Sequence, residues 1–202
     1  MIKESRPSTG LIILAAGSSS RLGQAKQLLE FKGINLLQNA INVGKESCVD
    51  HVVVVLGANM DEIKANIDFR STIVTVNDNW KKGMASSMQI GLKKLMETEY
   101  PDQIIIMLCD QPFVDSKLID SIISVQSESD KGIVACQYND TLGVPALFTK
   151  KYYDQLLNLS TSEGAKKLIY KYLEDCEIIS FELGSIDIDT EEDYKNLIGK
   201  KT

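Results

Sequence analysis

The chain has 202 residues, 44% hydrophobic and 25% charged, an ordinary globular composition with enough length to bury one α/β core. A formal net charge of −6 argues against a nucleic-acid partner, which would call for a global basic footprint. The longest apolar runs fall well short of the roughly 20 residues needed to cross a bilayer, so no membrane partner is expected.

The first residues, MIKESRPST, carry no apolar h-region, and a cytoplasmic chain without a signal peptide is expected. Leu11, Ile12, Ile13 and Leu14 then read as a strand buried on both faces. The run breaks into Ala15-Ala16-Gly17 and Ser18-Ser19-Ser20. Small side chains let a backbone approach a ligand closely, Gly17 permits positive φ, and successive N–H groups form an anion-binding concavity. Arg21 and Lys26 follow, placed to wrap a polyphosphate with guanidinium and ammonium groups. The loop is neither a Walker A motif, since Leu22-Gly23-Gln24 stands where Gly-Lys-Ser/Thr is needed, nor a G-x-G-x-x-G fingerprint.

Asn35 is placed to cap a helix carrying Leu36, Leu37, Ala40, Ile41 and Val43. A second buried strand runs from His51 to Leu56 and ends at Gly57. His51, the single histidine, stands at the strand's start, the wrong end for ligands of a parallel sheet. Asn59, Asp61 and Glu62 open a short helix. A strand over Ser71–Val76 leads into the polar loop Asn77–Gly83. Met84, Met88, Leu92 and Leu95 then repeat at helical spacing, with both methionines read as core. Gln103–Cys109 is a fourth strand, ending in Asp110-Gln111-Pro112, and Asp115 caps the next helix. Further strands are expected over Gly132–Gln137, Gly143–Phe148 and Glu177–Phe181, with helices around Tyr152–Leu157 and Gly164–Leu173. Asp187-Ile188-Asp189-Thr190 leads into a last helix, with Thr190 and Asp193 as a capping pair.

Strands alternating with helices predict an α/β fold: a three-layer, doubly wound, mainly parallel sheet of Rossmann-like type forming a single domain over residues 1–202. Ligands of such sheets bind beyond the carboxyl ends of the strands, where Gly17, Gly57, Asn77 and Asp110 all lie. Asp110 follows six uncharged residues, and a carboxylate so placed suits Mg²⁺ beside a triphosphate. Ser86 and Ser87 bring hydroxyls to the start of a helix, where a base edge or an anion can bind. Cys48, Cys109, Cys136 and Cys176 contain no C-x-x-C pair, and three of them follow or sit within apolar runs, consistent with free thiols in a reducing cytosol.

The segment LAAGSSSRLGQAKQLL resembles the signature of the nucleotidyltransferases related to molybdenum cofactor guanylyl- and cytidylyltransferases, roughly L-x-x-G-x-S-x-R-M-G-x-x-K-x-L-L, with Leu22 in the place of Met. LCDQPFV resembles their L-x-D-Q-P motif, and NDNWKKGMASSMQIGL resembles a segment matched at Asn77, Gly83, Ser86, Ser87, Gly91 and Leu92. DIDTEEDY resembles their D-x-D-T-P-E-D-Y, with Glu191 in place of Pro. The resemblance implies that Leu14, Ala15, Ala16, Gly17, Ser18, Ser19, Arg21 and Lys26 hold the nucleotide, with Asn77, Gly83, Ser86 and Ser87, and Gly57 joins them by its place just after a strand. It implies Arg21, Lys26 and Asp110 as the catalytic set, and Mg²⁺ on Asp110 with Asp187 or Asp189, between which spacing does not choose.

TLGVPALF resembles a segment near the acceptor site, whereas LSTSEGAKKLI departs at Thr161, Ser162 and Lys166, where Gly, Asp and Arg are usual. The implied reaction moves CMP from CTP to the phosphate of molybdopterin with release of pyrophosphate. The Ala15-Ala16 pair, where guanylyl-transferring relatives tend to carry Gly, leans toward a pyrimidine. The resemblance also implies transient contact with a molybdoenzyme or its maturation factor. Two other readings share these residues: a sugar- or alditol-phosphate nucleotidyltransferase, and a non-enzymatic nucleotide-binding maturation protein.

Overall fold

In a computed structural model the described residues are 6–160 and 163–199. The leading segment through Ser5, and Thr161 and Ser162 of the acceptor-like segment, lie outside them. In chain order the elements are β1 (Thr9–Ala15), β2 (Glu30–Phe31), β3 (Ile34–Asn35), α1 (Leu36–Glu46), β4 (His51–Leu56), α2 (Met60–Asn66), β5 (Ile73–Val76) and α3 (Met84–Thr98). They continue with β6 (Gln103–Leu108), α4 (Ser116–Ser127), β7 (Ile133–Tyr138), β8 (Thr141–Thr149), α5 (Tyr153–Leu157), α6 (Ala165–Lys171), β9 (Cys176–Ser180) and α7 (Glu191–Gly199).

Seven strands form one sheet in the order β5-β4-β1-β6-β8-β7-β9. β1 pairs in parallel with both β4 and β6, so the chain winds outward to β5 and then crosses back to β6. That reversal places a topological switch point between the carboxyl ends of β1 and β6, where the loop after Ala15 and the turn at Asp110 emerge. β8 alone runs antiparallel, between β6 and β7. The cause is local: Asn139 and Asp140 form a two-residue turn at φ 45° and 55°, the left-handed pair of a tight hairpin, so β7 must turn straight back. Lys32 and Gly33, at φ 53° and 80°, make the same kind of turn in the small β2–β3 hairpin, which periodicity does not reveal.

Each face of the sheet carries its own apolar layer, because successive strand residues point to opposite sides. Ile12, Leu14, Val53 and Val55 pack with Met88 and Leu92 of α3 on one face. Leu11, Ile13, Ala15, Val52 and Val54 pack with Ile41 of α1 and Ile119 and Ile122 of α4 on the other. Gly91 lets α3 lie close on the sheet, since a Cβ there would stand 2.6 Å from Ile12 and 2.9 Å from Val55. Its place is packing rather than ligand contact. Asn35 does sit at the start of α1, but its side chain donates to the Leu28 carbonyl at 2.8 Å and does not cap the helix. Asp115 caps α4 as expected, accepting from the Leu118 N–H at 2.8 Å. Of the cysteines, Cys109 and Cys136 are buried while Cys48 is exposed. Among the described residues, no helix is long and apolar enough to cross a membrane.

Candidate active site

The loop after β1 is an arch pinned at several points. Gln27, fully buried, reaches back to donate to the carbonyls of Ala15 at 2.8 Å and Gly17 at 2.9 Å. Ser19, at φ 55°, accepts from the Lys26 N–H at 3.0 Å. The left-handed residues of the loop are Ser19 and Gly23 (φ 69°), not Gly17, which needs no positive φ. Gly17 serves differently: a Cβ there would meet nothing within 4 Å, so the missing side chain leaves room for a ligand. Leu22 anchors the outer side of the arch in a small cluster with Leu29, Leu36, Ile188 and Leu197.

The arch brings its two cations to two carboxylates, Asp110 and Asp189. Lys26 Nζ pairs with Asp110 Oδ2 and lies 3.0 Å from Asp189 Oδ1, while Arg21 Nη2 lies 2.7 Å from Asp189 Oδ2. Burial opposes the Lys26 charge, but the adjoining Asp110 outweighs it and holds the ammonium above its ordinary pKa. Burial likewise pushes the Asp189 carboxyl up, but hydrogen bonding and charge pairing with Lys26 and Arg21 bring it below the usual range. Asp187 forms no ion pair among the described residues, and burial followed by repulsion from Asp110 and Asp189 raises its carboxyl against the weaker pull of Lys26. Burial pushes the neighbouring Cys109 thiol up to about 12, so it stays neutral and is no nucleophile near neutral pH.

These groups line a cleft of about 490 Å³ together with Leu14, Ala16, Gly17 and Ser18. Its opposite wall is the segment before and at the start of α3: Trp80, Lys81, Gly83, Met84 and Ser87. Asn77 is fully buried behind that wall, donating to the hydroxyls of Ser86 at 2.8 Å and Ser87 at 2.9 Å. Its side-chain Oδ1 accepts from the Asn79 N–H at 2.9 Å. Ser86 donates back to the Gly83 carbonyl at 2.7 Å, so Ser87 lines the cleft while Asn77 and Ser86 hold the wall in place.

Other expected contacts are rearranged. Ala15 packs into the far apolar layer and only Ala16 lines the cleft. Gly57 is a spacer, where a Cβ would stand 2.7 Å from the Ala16 carbonyl oxygen and 2.9 Å from Trp80. Ser19 borders a separate shallow depression with Gly23, Gln24 and Asn59. Met84, 49% exposed, lies on the cleft wall and not in the core, unlike Met88. Trp80, Lys81 and Gln27 carry no spacing signal that singles them out, although Trp80 and Lys81 fall inside the Asn77–Gly83 loop already marked. His51 sits at the amino end of β4, with Nε2 3.7 Å from Glu99.

Two neighbours complete the setting. Gln111 ties the Asp110 turn to β8 and the C-terminal segment by donating to the carbonyls of Val144 at 3.0 Å and Gly184 at 3.2 Å. Thr190 and Asp193 form the expected reciprocal cap of α7, with Thr190 N–H to Asp193 at 2.8 Å and Asp193 N–H to Thr190 at 3.1 Å. A larger groove of about 560 Å³, lined by Phe31, Phe113, Asn196 and Leu197, shares Asp187 with the cleft but holds neither Arg21 nor Lys26.

The residues present fit a divalent metal ion. Among the described residues Asp110 Oδ1 is buried without a hydrogen-bond partner, and Asp187 faces the same cleft without an ion pair. One or two carboxylates are what Mg²⁺ takes from a protein when phosphates and water supply the rest.

A switch-point cleft on a mostly parallel sheet, with a small-residue loop, two loop cations, the buried Asp110 and the more exposed Asp187 and Asp189, is the frame of a nucleotidyltransferase. Residues 11–176 match the MobA-like NTP transferase domain, and the chain belongs to that nucleotidyltransferase family. It is 27% identical over 165 residues to purine catabolism protein PucB of Bacillus subtilis (strain 168), covering 78% of each chain. It is 25% identical over 190 residues to the molybdenum cofactor cytidylyltransferase of Escherichia coli (strain K12), covering 91% of this chain and 92% of that one. The crystal structure of Rv0371c from Mycobacterium tuberculosis H37Rv superposes with a TM-score of 0.85 at 26% identity, over 97% of this chain and 100% of that one. A manganese complex of Rv0371C superposes with a TM-score of 0.79 at 25% identity, covering 96% of this chain and 99% of that one.

The two loop cations differ in burial, and their substitutions should differ accordingly. Arg21 is 67% exposed, so Arg21→Ala is expected to slow turnover by only about tenfold, since solvent screens its contribution. Arg21→Lys should recover part of that, because a point charge does not reproduce the planar fork. Steady-state rates under saturating nucleotide check this, and a wild-type rate in Arg21→Ala would remove Arg21 from the site.

Proposed function

We propose that the chain is a Mg²⁺-dependent cytidylyltransferase that moves CMP from CTP to the phosphate of molybdopterin and releases pyrophosphate. The observation that carries the reading is Lys26 of the small-residue loop paired with Asp110, whose buried Oδ1 lacks a partner among the described residues, with Arg21 paired to Asp189 in the same switch-point cleft. A phosphate oxygen of the acceptor attacks the α-phosphorus of CTP, and the bond to the β-phosphate oxygen breaks. Arg21 and Lys26 exchange carboxylate oxygens for phosphate oxygens and stabilise the departing pyrophosphate. Asp110 and Asp187 would hold the Mg²⁺, which would neutralise charge on the phosphates. The acceptor phosphate is already largely ionised at neutral pH, so the cleft requires no general base.

The nucleotide preference rests on Ala16. Ala16 lines the cleft, next to the Trp80–Ser87 wall, and a side chain there leaves less space for a purine than Gly would. Ala16→Gly is expected to raise kcat/KM for GTP relative to CTP by about tenfold, within the roughly 10- to 200-fold that small steric differences produce. Ala15→Gly, on the far face, should leave the ratio unchanged and lower the melting temperature instead. Pyrophosphate release with CTP and GTP in the three proteins tests this; a wild-type preference for GTP would overturn the cytidylyl assignment.

The departures at Thr161, Ser162 and Lys166 favour a second reading, the same transfer to another phosphate-bearing acceptor such as a sugar or alditol phosphate. Lys166 is exposed on α6, its ammonium 5.8 Å from the Tyr170 ring centre. A panel of acceptors with CTP and Mg²⁺ separates the two readings. Binding of CTP without turnover on any acceptor would favour a nucleotide-binding maturation protein.

A further inference from the structure

The two acids of the Asp187-Ile188-Asp189 segment do different things. Ile188 is fully buried between them, which turns both carboxylates toward the cleft. Asp187 forms no ion pair or hydrogen bond with either cation, whereas both oxygens of Asp189 are taken: Oδ2 by Arg21 at 2.7 Å and Oδ1 by Lys26 at 3.0 Å. Asp189 is also held from behind. Its N–H donates to Asp193 at 3.2 Å, and Asp193 is locked in the reciprocal cap with Thr190. The carboxylate is therefore fixed to the start of α7, while Arg21, on the arch, is 67% exposed.

We propose that Asp189 is a positioning residue, a counter-ligand that holds Arg21 and Lys26 when the cleft is empty and competes with pyrophosphate for them when it is full. This rests on the nucleotidyl-transfer reading of the cleft. Cations parked on a rigid carboxylate are preorganised at the mouth of the cleft. Each must exchange one charged oxygen for another when a triphosphate arrives, and each is drawn back when pyrophosphate leaves. Asp189 thus lowers the affinity for the leaving group and favours its release. It also leaves Asp187, and not Asp189, as the carboxylate beside Asp110 for a divalent ion.

The test measures pyrophosphate affinity in the absence of divalent metal. Trp80 is the chain's single tryptophan and lines the cleft, so its fluorescence reports occupancy. Inorganic pyrophosphate is titrated, with chelator present, into wild type, Asp189→Asn and Asp187→Asn. Partly exposed ion pairs are individually weak, so removing this pair of contacts is expected to tighten binding by about three- to tenfold in Asp189→Asn. Asp187→Asn removes the same charge from the same cleft without touching either cation, and should change the affinity less than about twofold. Tightening cannot come from loss of structure, and Asp189→Ser gives the same comparison if the amide variant folds poorly. Equal shifts in the Asp187 and Asp189 variants, or no gain in Asp189→Asn, would overturn the counter-ligand while leaving the cleft's reading intact. A wild-type protein that does not respond to pyrophosphate would overturn both.

Discussion

Asp110→Asn is expected to lower turnover by roughly 100- to 1000-fold while melting within a few degrees of wild type. The size of the loss is that of removing one preorganised charge from a water-poor reaction centre. The amide keeps the shape of the carboxylate and preserves the turn that Gln111 ties to β8 and to Gly184. It cannot supply the negative oxygen that a divalent ion needs, and Oδ1 has no other partner to compensate. Turnover is measured at saturating CTP across a range of Mg²⁺ concentrations, beside a thermal melt. Full activity at limiting Mg²⁺ would remove Asp110 from the site; a collapse of the melt would make its role structural.

Lys26→Ala should produce a second large loss, and unlike Asp110→Asn, which leaves Lys26 its contact with Asp189 at 3.0 Å, it should also destabilise the fold. Lys26 and Asp110 are 15% and 9% exposed, so the alanine variant leaves a nearly buried carboxylate without its cation. Breaking such a pair from one side costs about 3–5 kcal/mol, and the partial exposure places the cost near the low end. Turnover should fall roughly 100- to 1000-fold, because the pyrophosphate loses its least screened cation. Adding Asp110→Asn to Lys26→Ala should restore most of the melting temperature and none of the activity, since the orphaned charge is gone but so is the chemistry. Additive losses of stability in the double variant would show that the two side chains are not coupled.

The loop cations and Asp110 were legible in the sequence because their chemistry is local. A buried apolar run followed by small residues and a cation, or by a lone carboxylate, marks the carboxyl end of a strand wherever it falls. Ala15 was misread as a cleft residue although the signal was present. Strand side chains alternate, so Leu14 and Ala16 share one face and Ala15 takes the other. The reversal of β8 was also written in the chain, as the two-residue Asn139-Asp140 turn between apolar runs. Gln27 and Asn77 are different. Their side chains do their work by reaching backbone or hydroxyl groups 9 to 12 residues away, and no spacing announces which polar residue will be folded inward. The division between Asp187 and Asp189 depends on contacts more than 160 residues distant and needed the fold.

The most direct test of nucleotidyl transfer is to incubate the protein with CTP, Mg²⁺ and molybdopterin and weigh the products by mass spectrometry. The account predicts the cytidylylated acceptor and pyrophosphate in equal amounts, both absent with Asp110→Asn. CTP that binds in the cleft yet yields neither product, with molybdopterin and with every sugar or alditol phosphate offered, would contradict it.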